Sequence, residues 1–286
     1  MGIESKNPED IDAKIPEVEV QQERREQEQF SDLSIFTTTM YGTDEISRVR
    51  QELAVNFLKN AQALGIKCVV VDGGSNQEFL DEISQFDNIE IVVDPTLKMG
   101  ESRRTALQIA IEKYATPYFL WSEPEKDGLI QMETLKAMID GLRTGQSDII
   151  VPRRASTESM PKFQAWIEAR ANKRASGLKG PKPDEAEEIL DLWFGPKMFN
   201  RDGAESFINY QGELDKWDSI IKPVLDAAQA GKRISSVDVD YQYDPSQTKS
   251  EEQNREIKRK RMEQYATILK ELGDKYWIEK LAPKEE

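Results

Sequence analysis

The chain predicts an α/β fold: a Rossmann-like, mainly parallel sheet with helices on both faces, followed by a long C-terminal helix. Short apolar runs such as KCVVVD, IEIVV, YFLW and DIIV recur along it, each too short for a helix. Between them lie segments whose apolar residues repeat at helical spacing. Strands that alternate with helices are joined by crossovers, which make neighbouring strands parallel. The runs are mostly apolar, as in a sheet covered on both faces.

The length of 286 residues suits one large α/β domain with tails. Residues 1–31 are charged and Gln/Glu-rich and form an expected disordered or loosely helical acidic tail. Residues 32–245 form the expected domain. Residues 246–286 form a charged C-terminal helix and tail, able to pack on the domain or to mediate a homodimer. No apolar run approaches the roughly 20 residues of a membrane span, and MGIESKNPED lacks the pattern of a signal peptide.

The net charge of −14 argues against broad contact with nucleic acid or anionic membranes. The single cysteine, Cys68, sits in an apolar run and has no partner for an intrachain disulfide. A cytoplasmic location is expected. The chain contains no histidine, so proton transfer must fall to carboxylates, Lys, Tyr or Cys.

The elements follow in order. Residues 34–39 (SIFTTT) are a strand, and a helix follows with apolar positions at Val49, Leu53, Val55, Phe57 and Leu58, capped by Thr43 or Asp44. Residues 68–71 are a strand, 79–86 a helix, 89–93 a strand, 101–114 a helix and 118–121 a strand. Residues 132–142 are a helix and 148–151 a strand. A basic stretch, 152–182, then runs against the acidic whole. Residues 214–230 are a helix, 234–243 an alternating strand, and 250–276 a charged helix with a stripe at Ile257, Met262, Tyr265, Ile268 and Leu269.

Candidate residues gather where these strands end, the ligand edge of open α/β sheets. Thr38 ends the first strand, and Asp72 ends the second before two glycines that let backbone approach a ligand. Asp-Gly after a strand is also an ordinary turn. Lys98, Arg103 and Arg104 flank a helix start, where backbone N–H groups and guanidinium forks favour phosphate. Glu123 and Glu125 follow the fourth strand, and two carboxylates two apart can meet one Mg²⁺ or Mn²⁺. Without context an acidic surface turn is the better explanation, since Glu-Pro-Glu is common in loops. Asp215 and Asp218 offer either a base for an acceptor hydroxyl or helix caps. Arg153 and Arg154 can bind an anionic acceptor or a diphosphate, or belong to a solvated loop. Trp166 and Trp193 are expected to pack rather than to bind sugar.

In this order, SIFTTT, VVVDGGS, KMGESRRTAL, YFLWSEPE and WDSI resemble the GT-A glycosyltransferases, especially family 2-like members. VPRRASTES and DKWDSI add a local resemblance to mannosylglycerate synthase-like enzymes. The resemblance implies the GT-A fold and a UDP- or GDP-sugar donor. Asp72 and Arg103 would bind the donor, Glu123 and Glu125 would hold the metal, and Asp218 or Asp215 would be the base. Glu-x-Glu departs from the family's Asp-x-Asp, and a late metal-binding histidine is impossible, leaving Asp238, Asp240 or Tyr241 to replace it. The expected activity is metal-assisted transfer of a sugar from a nucleotide diphosphate to a hydroxyl acceptor, which the local resemblance allows to be small and anionic. A glycosyltransferase-like binding or scaffold protein without catalysis is the competing reading. A nucleotidyltransferase ranks last, because TTTMYGTDE lacks a glycine-rich, lysine-containing loop.

Overall fold

The computed structural model describes residues 29–176, 189–211 and 220–271. Among these, seven strands form one sheet: β1 (Leu33–Thr39), β2 (Lys67–Asp72), β3 (Ile89–Val93), β4 (Tyr118–Trp121), β5 (Ile149–Arg154), β6 (Lys197–Asn200) and β7 (Ile234–Val239). Their order is β3-β2-β1-β4-β6-β5-β7. All pairings are parallel except those of β6, which runs antiparallel to β4 and β5.

Alternation along the strands feeds two cores. Ile35, Val70, Leu120, Ile150 and Met198 point into one, with α1 (Glu45–Ala63), α2 (Gln77–Ile83) and α4 (Met132–Arg143). Phe36, Val71, Phe119, Trp121, Val151 and Phe199 point into the other, with α3 (Met99–Tyr114), α6 (Arg201–Ile208) and α7 (Ile221–Gln229). Burial on both faces is why β2 and β4 are mostly apolar, whereas β3 at the edge is only partly buried. Cys68 lies in the first core, and burial pushes its thiol up to about 12. Asp44 caps α1 by accepting from the Ser47 amide at 3.0 Å.

Three local readings change. Phe30 is fully buried, so the folded part starts before residue 32, and Arg143 ties this edge down through Asp32 and the Gln29 carbonyl. The basic stretch after β5 is not a solvated loop throughout: α5 (Lys162–Ser176) packs Ile167 and Ala171 against Tyr265 and Leu269. The C-terminal helix is divided into α8 (Pro245–Gln253) and α9 (Arg255–Glu271). Asn254 makes the break, its side-chain oxygen accepting from the amides of Glu256 and Ile257. Of the predicted stripe, Met262, Tyr265 and Leu269 pack with α5, and Ile268 joins the second core.

Candidate functional site

A cleft of about 380 Å³ opens at the carboxyl ends of β1 and β4. Its floor is Thr38, Thr39 and Met40 at the end of β1, and Trp121, Glu123, Pro124, Glu125 and Lys126 at and after the end of β4. Met99, Ser102 and Arg103 come from the start of α3, and Gln164, Glu168, Trp193, Tyr243, Arg261 and Gln264 close the far end. The parallel order brings these ends together, because β1 and β4 are direct neighbours.

Of the predicted donor residues, Thr38 and Arg103 line the cleft. The Arg103 guanidinium lies 4.9 Å from the Trp121 ring centroid, within cation–π range, which fixes the side chain along the wall. Lys98 is exposed before α3 and its amide donates to Glu101, leaving the side chain outside the lining. Arg104 faces a small apolar recess beside the cleft, with Phe36, Phe207 and Ile220.

Asp72 is fully buried under the floor. Its Oδ1 accepts from the Gly74 and Ser75 amides at 2.8 and 2.7 Å, and its Oδ2 from the Thr39 hydroxyl at 2.6 Å and from the Ser75 hydroxyl. Four donors fill the four acceptor positions of a carboxylate. Asp72 therefore shapes the ends of β1 and β2, and the expected contact with base or ribose does not fit this arrangement.

Arg153 and Arg154 separate. Arg153 bonds Asp238, its parallel partner across β5 and β7, at 2.6 Å near the surface. Arg154 is buried. It forks onto both Asp191 oxygens at 2.7 Å and reaches Glu168 and the Tyr243 hydroxyl at 2.8 Å each. Burial works against the Asp191 carboxylate, but Arg154 and Asn172 hold its pKa below the usual range. Neither arginine lines the cleft. The expected anion-binding role of Arg154 gives way to an internal ion cluster, because two buried acids already claim its donors.

Glu123 and Glu125 both line the cleft but turn to opposite flanks of β4. Glu123 packs against Gly195, before β6: a Cβ built on that glycine would lie 2.0 Å from Oε1 and 2.1 Å from Oε2. Its Oε2 is buried and accepts no hydrogen bond. Glu125 faces the β1 side, where burial raises its pKa while Arg50 and the Tyr41 hydroxyl oppose that rise. The two carboxylates thus meet different partners, Gly195 for Glu123 and Tyr41 and Arg50 for Glu125. Among the described residues, no group of three or more acidic or cysteine side chains has metal-holding geometry. Asp238 pairs with Arg153, Asp240 accepts from Gln242, and Tyr241 is buried between Phe194 and Tyr243, so none completes a metal shell. Among the described residues the acids at the cleft therefore offer Mn²⁺ or Mg²⁺ no three-carboxylate site.

Two lysines, Lys126 and Lys197, lie within electrostatic reach of Glu123. Lys126 sits over three rings, its ammonium 5.3, 5.6 and 5.4 Å from the centroids of Phe194, Tyr241 and Tyr243. Lys197 is fully buried and donates to the carbonyls of Leu192, Phe194, Gly195 and Pro196 at 2.6–3.3 Å. Burial pulls its pKa down to about 7, with Glu123 and Asp191 opposing. Sequence reasoning missed Lys126 and Lys197 because their partners are remote and a lysine among charged residues reads as solvated; the run EPEK at a strand end was the available signal.

Asp215 and Asp218 lie outside the described residues. Ile220, the first described residue after them, touches the recess shared by Arg103 and Trp121. Trp193 lines the cleft as well as packing near Tyr265, whereas Trp166 is half-exposed under the Arg170 guanidinium.

The sheet order, the single antiparallel strand and the cleft at the β1–β4 ends can be set beside solved structures. Mannosyl-3-phosphoglycerate synthase from Rubrobacter xylanophilus matches with a TM-score of 0.57 at 12% identity, over 92% of this chain and 80% of that one. Glucosyl-3-phosphoglycerate synthase from Mycobacterium tuberculosis, in complex with Mg²⁺ and UDP, matches with a TM-score of 0.55 at 12% identity, over 84% and 79%. The chain has the GT-A fold. The same mycobacterial enzyme with Mn²⁺, UDP-glucose and phosphoglyceric acid gives a TM-score of 0.52 at 13% identity, over 84% and 79%. No protein-family model and no curated protein matches the sequence. In this GT-A fold the cleft occupies the ligand edge of the sheet, and no helix among the described residues is long and apolar enough to cross a membrane.

Proposed function

We propose that the protein transfers a sugar from a UDP- or GDP-sugar to a hydroxyl of a small anionic acceptor. The carrying observation is the basic wall of the cleft. In a chain of net charge −14, the lining holds four cations (Arg50, Arg103, Lys126, Arg261) against three acids (Glu123, Glu125, Glu168). A local positive balance at the ligand edge suits a phosphorylated donor. The solved structures with this fold that carry UDP, UDP-glucose and phosphoglyceric acid support the same reading.

Arg103, fixed on Trp121 at the start of α3, would stabilise the diphosphate as it leaves. The acceptor oxygen bonds to the anomeric carbon while the bond from that carbon to the diphosphate oxygen breaks. The hydroxyl proton passes to a carboxylate, a role we assign to Asp218 or Asp215. Thr38 on the floor would contact the donor, and Asp72 would hold the floor in shape. Arg261, at the far end, suits the charge of the acceptor.

Thermal shift with a panel of nucleotides and nucleotide sugars tests this reading. Stabilisation by UDP, GDP or one of their sugars, and not by the free sugar, is expected. A flat response to the whole panel would contradict it.

A further inference from the structure

We propose that Lys126 is a built-in counter-ion for the donor diphosphate, standing where a divalent cation would otherwise be needed; this rests on the nucleotide-sugar reading above. The two acids that would hold a cation diverge, Glu123 toward Gly195 on the β6 side and Glu125 toward Tyr41 and Arg50 on the β1 side. Lys126 follows them directly and lines the same cleft.

The way Lys126 is held matters. Three aromatic faces, Phe194, Tyr241 and Tyr243, surround its ammonium at 5.3–5.6 Å. Aromatic faces stabilise the charge through their quadrupoles without consuming N–H donors. Glu123 acts on the ammonium through space, but among the described residues no hydrogen bond or ion pair within 4.0 Å claims its donors, which can turn to phosphate oxygens. The cage also fixes where the charge sits, which lowers the ordering cost of binding. Tyr243 lines the cleft and bonds Arg154 at 2.8 Å, so the buried ion cluster braces the cage from behind. Together Lys126 and Arg103 place two positive charges along one cleft, matching the charge a divalent ion would supply.

The test is calorimetric binding of UDP and GDP to the full chain, in excess EDTA and again with Mn²⁺, for wild type, Lys126→Met and Lys126→Arg, with UMP and GMP as controls. Wild type should bind at least one nucleoside diphosphate in EDTA, with a Kd within about threefold of that in Mn²⁺. Lys126→Met should weaken that diphosphate about tenfold or more and the matching monophosphate less than about twofold, while Lys126→Arg keeps most of the affinity. Binding that appears only with Mn²⁺, or equal binding by wild type and Lys126→Met, would overturn the role of Lys126 and leave the nucleotide-sugar reading standing. Binding of neither nucleotide under any condition would overturn that reading and the Lys126 role with it. If Lys126→Met does not fold, the wild-type comparison of EDTA with Mn²⁺ decides alone.

Discussion

Replacing Arg154 with methionine separates two roles that the sequence allowed for this residue. In the structure its side chain is 2% exposed, against 4% for Glu168 and 9% for Asp191. The substitution keeps most of the volume but removes the fork to Asp191 and the bonds to Glu168 and Tyr243. Two acids would remain buried without their main cation, a change that costs about 3–5 kcal/mol when one partner of a buried pair is removed. Asn172 still bonds Asp191, Gln164 still bonds Glu168, and Arg261 lies 3.7 Å from Glu168, which places the expected loss at the low end, about 3 kcal/mol. Urea denaturation followed by circular dichroism measures it, as a midpoint lower by roughly 1 M or more. The sign with pH is fixed. Arg154 depresses the folded pKa of Asp191, so its stabilisation is present above the unfolded carboxylate pKa and fades as pH falls through the folded one. The gap between variant and wild type should therefore be widest near neutral pH and shrink in acid. A loss below about 1 kcal/mol, or intact stability with abolished UDP binding, would refute the internal role and return Arg154 to the ligand.

Other perturbations follow from the same geometry. Lys197 has a folded pKa of about 7 against an ordinary 10.5, so the unfolded chain binds more protons between these values and stability should rise as pH climbs through that window. Thermal melts from neutral to alkaline pH should show this rise, and Lys197→Met should flatten it while lowering stability, because four carbonyls lose their donor. Gly203→Ala would place a Cβ 2.4 Å from the Asp148 carbonyl, forcing α6 off the sheet at a cost of about 1–3 kcal/mol in chemical denaturation. Gly195→Ala would push the Glu123 carboxylate away and should change UDP affinity more than stability, as read by paired calorimetry and thermal melting.

Much of the architecture was legible because it rests on local pattern. The runs at 89–93 and 118–121 became β3 and β4 with the same bounds, since short, mostly apolar runs bounded by polar turn segments read as strands. The gathering of Thr38, Arg103, Glu123 and Glu125 in one cleft was also readable, because each follows or faces a strand end. What stayed hidden depends on partners far along the chain. Arg153 and Arg154 are adjacent in sequence, yet strand alternation sends one to the surface beside Asp238 and the other into a cluster with Asp191. Asp72 looked like a ligand group because an acid before two glycines has that chemistry; only the fold shows Thr39 and Ser75 filling its oxygens. The Lys126 cage draws on Phe194, Tyr241 and Tyr243, and no short motif announces it. Asn254 was missed as a helix boundary because an asparagine within a charged periodic run also fits a helix surface.

Chromatographic detection of UDP or GDP released from a nucleotide-sugar panel, with small hydroxy acids as acceptors, tests the central claim most directly. One donor and acceptor pair should give a glycosylated acid and an equal amount of nucleoside diphosphate, and Arg103→Ala should slow this about a hundredfold. No transfer from any pair, or equal rates for wild type and Arg103→Ala, would contradict the assignment of this cleft to sugar transfer.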